Sequence, residues 1–379
     1  MTGPARAPRR RTTPAGVGAP VLVPVPVLVL VLALVLAGCG GDPAPPEGGP
    51  SVRTTPTSTP STAPGATAIT APGATATPSA PGPTDVALPP VRDQVSLPAL
   101  MRERLPGGRL RVGRQVRTDR AYTRSEVTYP SSGATVSGVL LRPRGRGPFP
   151  AVVLAHGYIE PSVYVTGQGL VREQDYLARA GFVVLHTDYR GHAGSSAATE
   201  PGRETRLDYT RDVITAVRAL KRAPYVDPRR VALLGRSMGG GVALNALVTE
   251  PGLVRAAVVF APVSSSFLDN LRRWTLPERP EAARRLYARF GTPRQDPAFY
   301  RDLSARTFFG RITEPVLIHH GTADDTCPIG WSRTTQRLLR RAGVDSRLEV
   351  YRGEQHAFVP QWPTSMERTV RFLRRQMQG

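Results

Sequence analysis

Val231-Ala232-Leu233-Leu234-Gly235-Arg236-Ser237-Met238-Gly239 is the stretch on which the reading of this chain turns. Four apolar residues in a row suit a strand covered on both faces. Gly-x-Ser-x-Gly directly after such a strand marks a sharp turn from strand into helix that lifts the serine hydroxyl clear of the backbone. A serine alcohol is a weak nucleophile until a base takes its proton, so the turn matters only if it presents the hydroxyl to one. Glycines on either side follow from the same geometry, because a strained turn leaves little room for neighbouring side chains.

In this topology the partners come later in the chain, an acid and then a histidine. The six histidines are His156, His186, His192, His319, His320 and His356, and only His356 lies well downstream of a candidate acid. The acid is expected just past a late core strand, and Val316-Leu317-Ile318-His319-His320 runs into Gly321-Thr322-Ala323-Asp324-Asp325-Thr326-Cys327-Pro328. Asp324 is the first choice and Asp325 the alternative. Upstream, His156-Gly157-Tyr158 follows the apolar run 151–155. There the N–H groups of Tyr158 and Met238 are expected to hold the negative oxygen of a tetrahedral intermediate, with a plain strand-ending turn as the alternative. His192 precedes the serine and is read as a loop-structural residue, and Cys327 as a small buried one. Arg190, Arg236 and the segment 264–312 are candidates for binding a substrate carboxylate.

Around these residues, strand and helix patterns alternate. Ser125–Tyr129 and Val136–Arg142 read as an antiparallel hairpin. Near-continuous apolar runs follow at Ala151–Ala155, Phe182–His186, Val231–Leu234, Ala256–Phe260 and Val316–His320, with a last strand at Ser346–Tyr351. Helices with a period near 3.6 are expected at Leu170–Ala180, with Leu170, Val171 and Leu177 on one face, and at Tyr209–Lys221, with Val213, Ile214, Val217 and Leu220 inward. Others follow Ser237, cover Gly330–Arg341 and close the chain at Ser365–Gln376. The fold class is therefore α/β, a mostly parallel doubly wound sheet of about eight strands spanning residues 99–379. Residues 264–312 are too long for an ordinary connection and read either as a small helical cap over the site or as a segment packed on the domain's flank.

The first 98 residues are of another kind. Arg6, Arg9, Arg10 and Arg11 precede a mostly apolar stretch from Val21 to Ala37, and Leu36-Ala37-Gly38-Cys39 resembles a bacterial lipoprotein cleavage site. Residues 1–38 are thus expected to be a signal peptide and Cys39 the lipid-bearing first residue of an exported protein, held on the outer face of the cell membrane. An uncleaved membrane helix is the competing reading, weakened by Pro24 and Pro26. Residues 41–90 hold 13 proline and 10 threonine residues, too little apolar area to offset ordering entropy, so 39–98 is expected to be an extended tether. With Cys39 acylated, Cys327 has no partner for a disulfide. The formal net charge is +21, and Lys221 is the single lysine. Because the arginines are spread along the chain without interleaved aromatics, no nucleic-acid partner is expected.

From about Glu126 onward the chain resembles the α/β-hydrolase superfamily. The resemblance rests on His156-Gly157, Asp188-Tyr189-Arg190-Gly191-His192-Ala193-Gly194-Ser195, Gly235-Arg236-Ser237-Met238-Gly239-Gly240, Gly321-Thr322-Ala323-Asp324-Asp325 and His356. Val226-Asp227-Pro228-Arg229-Arg230-Val231 and the segment 320–328 are similar to the catalytic domain of the prolyl oligopeptidase family, with dienelactone-hydrolase-like and acetylesterase-like members also similar. The resemblance implies Ser237 as nucleophile, Asp324 as acid and His356 as base, acting on a small ester or short peptide, and the chemistry requires neither metal nor cofactor. The tether stands where oligopeptidases of this kind carry a β-propeller, and Cys327 where they carry valine. Both departures weigh against peptidase activity more than against hydrolysis; an esterase or broad acyl hydrolase is the first reading and a prolyl oligopeptidase-like serine peptidase the alternative. A lipid-anchored binding protein on the same scaffold is the rival from another class.

The Cys39 reading is checked by expressing Cys39→Ala in a bacterial host and fractionating the cells. The variant should leave the membrane fraction for the medium, and a variant retained there at full precursor mass removes the lipid anchor.

Overall fold

The computed structural model describes Gly3 and residues 87–378, so the expected signal segment, Cys39 and most of the tether lie outside the described residues. Nine strands form one sheet: β1 Arg111–Thr118, β2 Tyr122–Ser131, β3 Ala134–Pro143, β4 Phe149–Ala155, β5 Val183–Thr187, β6 Val226–Arg236, β7 Ala256–Phe260, β8 Val316–Gly321 and β9 Ser346–Tyr351. Their spatial order is β1-β2-β3-β5-β4-β6-β7-β8-β9. The hairpin and its neighbours pair antiparallel up to β5, and everything from β5 to β9 is parallel.

The sheet has nine strands against the expected eight or so, and β1 is the one that the sequence pattern does not show. β1 has no apolar face for periodicity to detect: seven of its eight residues are exposed and three are arginine. It is held by its ladder with β2, and its exposed arginines suit an edge strand that must not recruit another chain. The tether likewise ends sooner than residue 98. Ser96, Leu97, Ala99 and Leu100 are buried, Leu97 and Leu100 within the main core, and Ser96 caps the short helix Leu97–Leu100 by accepting from Ala99 N–H.

Why the central strands read as unbroken apolar runs is plain from their two faces. Along β4, Ala151, Val153 and Ala155 join the core beneath the helices Leu207–Lys221 and Met238–Thr249, while Val152 and Leu154 face the helices Val171–Arg179 and Trp362–Gln376. Burying each Val or Leu side chain in this way is worth about 1.5–3 kcal/mol. Within Leu207–Lys221 the four expected inward residues are all buried. Val171 departs from expectation. As first residue of its helix it points to solvent at 56% exposure, while Leu170 before it adopts φ 54° and turns inward.

β4 lies between β5 and β6, so the chain leaves β4 to one side and returns to the other. Such a switch point opens a crevice beyond the carboxyl ends of the strands. Register aligns those ends: Ala155 pairs Gly235, Arg236 pairs Phe260, and Phe260 pairs His319.

Five imidazoles are buried, and three of them are held strongly neutral. Burial pushes His156 down to about 4 and His319 to about 3, and carries His186 well below its ordinary range. Below the ordinary imidazole value of 6.5 the unfolded chain takes up protons that the folded one refuses, so the unfolding free energy should fall as pH drops from 6.5 towards 4. The expected slope is about 1.4 kcal/mol per pH unit for each histidine kept neutral. Urea midpoints that do not move across this window would show that these side chains are solvated.

Candidate active site

Ser237 sits between β6 and the helix Met238–Thr249 with φ 54° and ψ −120°, a conformation a non-glycine residue adopts only under constraint. Its N–H donates to Phe260 O at 2.9 Å, and its carbonyl accepts from Gly240 and Val263 N–H at 3.0 and 3.1 Å. The two glycines are spatial requirements: a methyl at Gly239 would collide with the carbonyls of Ala155 and His156, and one at Gly235 with that of Gly239. Gly157 lies against the serine, its missing Cβ only 3.3 Å from Ser237 Cβ.

Asp324 follows β8 and is held on both oxygens. Its Oδ1 accepts from Thr326 and Cys327 N–H at 3.0 and 2.8 Å. Its Oδ2 lies 2.8 Å from His356 Nδ1 and 3.1 Å from His320 Nε2. Burial pushes this carboxyl up, but the hydrogen bonds from His320, His356 and Cys327 N–H outweigh it and hold Asp324 below the usual carboxylate range. Asp325 is exposed and makes no contact with His356 among the described residues; its carboxylate accepts from Thr326 Oγ1.

The loop carrying His356 is fastened from two sides. Buried Glu354 accepts from Val359 and Gln361 N–H at 2.9 and 2.7 Å, and Arg172 donates to Ala357 O and Phe358 O at 2.8 and 3.1 Å. Sequence reading passed over both residues, and over His320, whose Nε2 lies 2.8 Å from Cys327 O and 3.1 Å from Asp324 Oδ2. Charged residues in loops and at helix starts are common, and no periodicity singles these out.

Ser237 and His356 line one cavity of about 500 Å³. The structure brings Asp324 onto His356. It leaves the serine hydroxyl beside the Cys327 sulfur at 4.0 Å, with no hydrogen bond to the imidazole among the described residues. Cys327 is fully buried, as expected, and burial pushes its thiol up to about 12. Tyr158 and Met238 line the same cavity, and neither N–H has a hydrogen-bond partner among the described residues. His192 has the structural place expected of it, its ring nitrogens 3.3 Å from Arg190 O and Ile159 O. Arg190 does not reach the cavity: Nε and Nη2 both engage the buried carboxylate of Asp212, at 3.0 and 2.7 Å.

Residues 264–312 fold mainly as short helices that do both things the sequence left open. Phe267, Asn270, Leu271 and Trp274 line the cavity, while Phe299, Tyr300, Phe308 and Phe309 are buried in the main core.

A model of the prolyl oligopeptidase family matches residues 170–379. The chain belongs to the prolyl oligopeptidase family. It is 28% identical over 243 residues to the uncharacterized peptidase YtmA of Bacillus subtilis, a match covering 64% of this chain and 88% of that one. It is 31% identical over 188 residues to the human prolyl endopeptidase FAP, covering 48% of this chain and 23% of FAP. Among solved structures, an acetyl xylan esterase from Paenibacillus sp. R4 superposes with a TM-score of 0.58 at 21% identity, covering 73% of this chain and 92% of the esterase. The chain thus spans most of YtmA and of the esterase but under a quarter of FAP. With this membership and this fold, an α/β-hydrolase, the chain is a serine hydrolase.

The carboxylate geometry predicts an asymmetry between adjacent aspartates. Asp324→Asn should lower the turnover of an activated ester by a factor on the order of 10⁴, and Asp325→Asn by less than about tenfold. Equal losses in steady-state kinetics would contradict the assignment.

Proposed function

We propose that the protein hydrolyses ester bonds of small acyl substrates through an acyl-enzyme formed on Ser237. His356 takes the serine proton as Oγ attacks the carbonyl carbon, and Asp324 holds the imidazole with Nδ1–H towards itself so that Nε2 is the basic nitrogen. The imidazolium then protonates the departing alkoxide, and water, activated by the same imidazole, releases the acid. Tyr158 and Met238 N–H hold the oxyanion; two such fixed donors are worth several kcal/mol of barrier. The observation that carries this reading is the 2.8 Å contact between His356 Nδ1 and Asp324 Oδ2, on the same cavity as a serine held at a strained elbow. The serine and imidazole must close up from the geometry described, a tightening that apo sites commonly undergo on binding substrate.

An apolar acyl group is favoured by the walls. Ile159, Leu170, Val242, Val263, Leu271 and Trp274 line the cavity, a surface suited to an acyl chain. Cleavage of a short proline-containing peptide by the same machinery is the second reading, supported by the peptidase relatives. We further propose that the enzyme works at the outer face of the cell membrane, tethered through Cys39.

Fluorophosphonate probe should modify wild-type protein at Ser237 and leave Ser237→Ala unlabelled, and 4-nitrophenyl esters should be turned over faster than prolyl anilides. A folded protein unlabelled at Ser237 removes the enzymatic reading. Equal hydrolysis by wild type, Ser237→Ala and His356→Ala would favour the non-catalytic binding protein.

A further inference from the structure

Two arginines of this chain are largely buried near the carboxyl ends of the strands, and they are treated very differently. Arg190, with 6% of its side chain exposed, has Asp212 on Nε and Nη2 and Ser131 on Nη2 as well. That is how a structural guanidinium is satisfied. Arg236, with 15% of its side chain exposed, makes no hydrogen bond through any nitrogen among the described residues, and its Nε and Nη2 are buried without a partner.

The nearest carboxylate is Glu173, 3.8 Å from Nη2, but it already accepts from Trp362 Nε1 at 2.8 Å and lies 3.9 Å from Arg172. One buried carboxylate is thus shared by two guanidiniums and hydrogen-bonds to neither, while Asp324 and Glu354 act on Arg236 only through longer-range attraction. Burial pushes Arg236 down and Glu173 opposes it. The rings of Phe260 and Phe358, each 5.7 Å away, flank the group. Arg236 also lines the catalytic cavity and directly precedes Ser237 in the chain. Leaving charged donors unpaired costs more than leaving neutral ones, so the site favours an occupant that completes them.

We propose that Arg236 is a specificity residue that receives a carboxylate of the substrate, making this a hydrolase of carboxylate-bearing esters. The inference rests on the proposed function of the same site. A planar carboxylate matches the guanidinium fork, and charge-assisted pairing strengthens in a cavity with apolar walls. The carboxylate can sit on the acyl or on the leaving side of the scissile bond, and the two placements call for different substrates.

The test compares kcat/KM for matched charged and neutral pairs: 4-nitrophenyl hemisuccinate against 4-nitrophenyl methyl succinate for the acyl side, and 4-acetoxybenzoate against its methyl ester for the leaving side. Wild type should prefer the carboxylate in one pair. That preference should fall about ten- to hundredfold in Arg236→Gln and recover in part in Arg236→Lys. A merely structural Arg236 would lower both members of a pair together and keep their ratio, which overturns the proposal. So does a wild type with no preference in either pair. As a check needing no variant, succinate should slow fluorophosphonate labelling of wild-type Ser237 and uncharged succinamide should not; equal effects count against the subsite. Absence of any labelling at Ser237 is a separate result and removes the proposed function itself.

Discussion

Everything at the carboxyl edge of the sheet depends on how closely β6 and the helix after it approach β4. Gly239 packs where a single methyl would strike the carbonyls of Ala155 and His156, and Gly235 packs as tightly on Gly239. This close approach lets the chain turn from β6 into the helix with Ser237 at positive φ and its N–H tied to Phe260 O. The strained serine persists because the surrounding parallel strands over-determine it. Since Gly157 packs against the serine in the same region, the placements of Ser237 and of the turn after β4 are set together.

Around that constraint the protein distributes charge in two ways. Asp324 is fixed by backbone N–H groups and two imidazoles, so its negative charge is fully engaged and can orient His356 without drifting. Arg236 is the opposite case, a cation whose donors are left over after the core is satisfied. Unpaired buried donors are exceptions in a folded interior, and this one borders the cavity.

The segment 264–312 shows how one insertion can serve both stability and specificity. Its later aromatic residues enter the main core, which anchors the segment. Its earlier residues then stand over the serine as a wall rather than a loose loop. Ion pairs from Arg279 to Glu204 at 2.9 Å and from Arg285 to Glu200 at 3.3 Å tie it to the helix Glu200–Thr205. The exposed pair Arg285–Glu200 adds little on its own, whereas Arg279–Glu204 is mostly shielded and lines the cavity.

The sequence by itself determined the α/β class, most strand positions, the elbow and the candidate residues Ser237, Asp324 and His356, because apolar runs, flanking glycines and chain order are local or one-dimensional properties. It could not reveal β1, whose hydrogen bonds rather than its side chains make it a strand. Nor could it separate Asp324 from Asp325, since adjacent carboxylates differ only in which one a folded loop turns towards the imidazole. The contrast between Arg190 and Arg236 was likewise decided only in three dimensions. Whether a buried guanidinium meets a carboxylate depends on residues distant in the chain, and pairing across such distances leaves no trace in a single sequence.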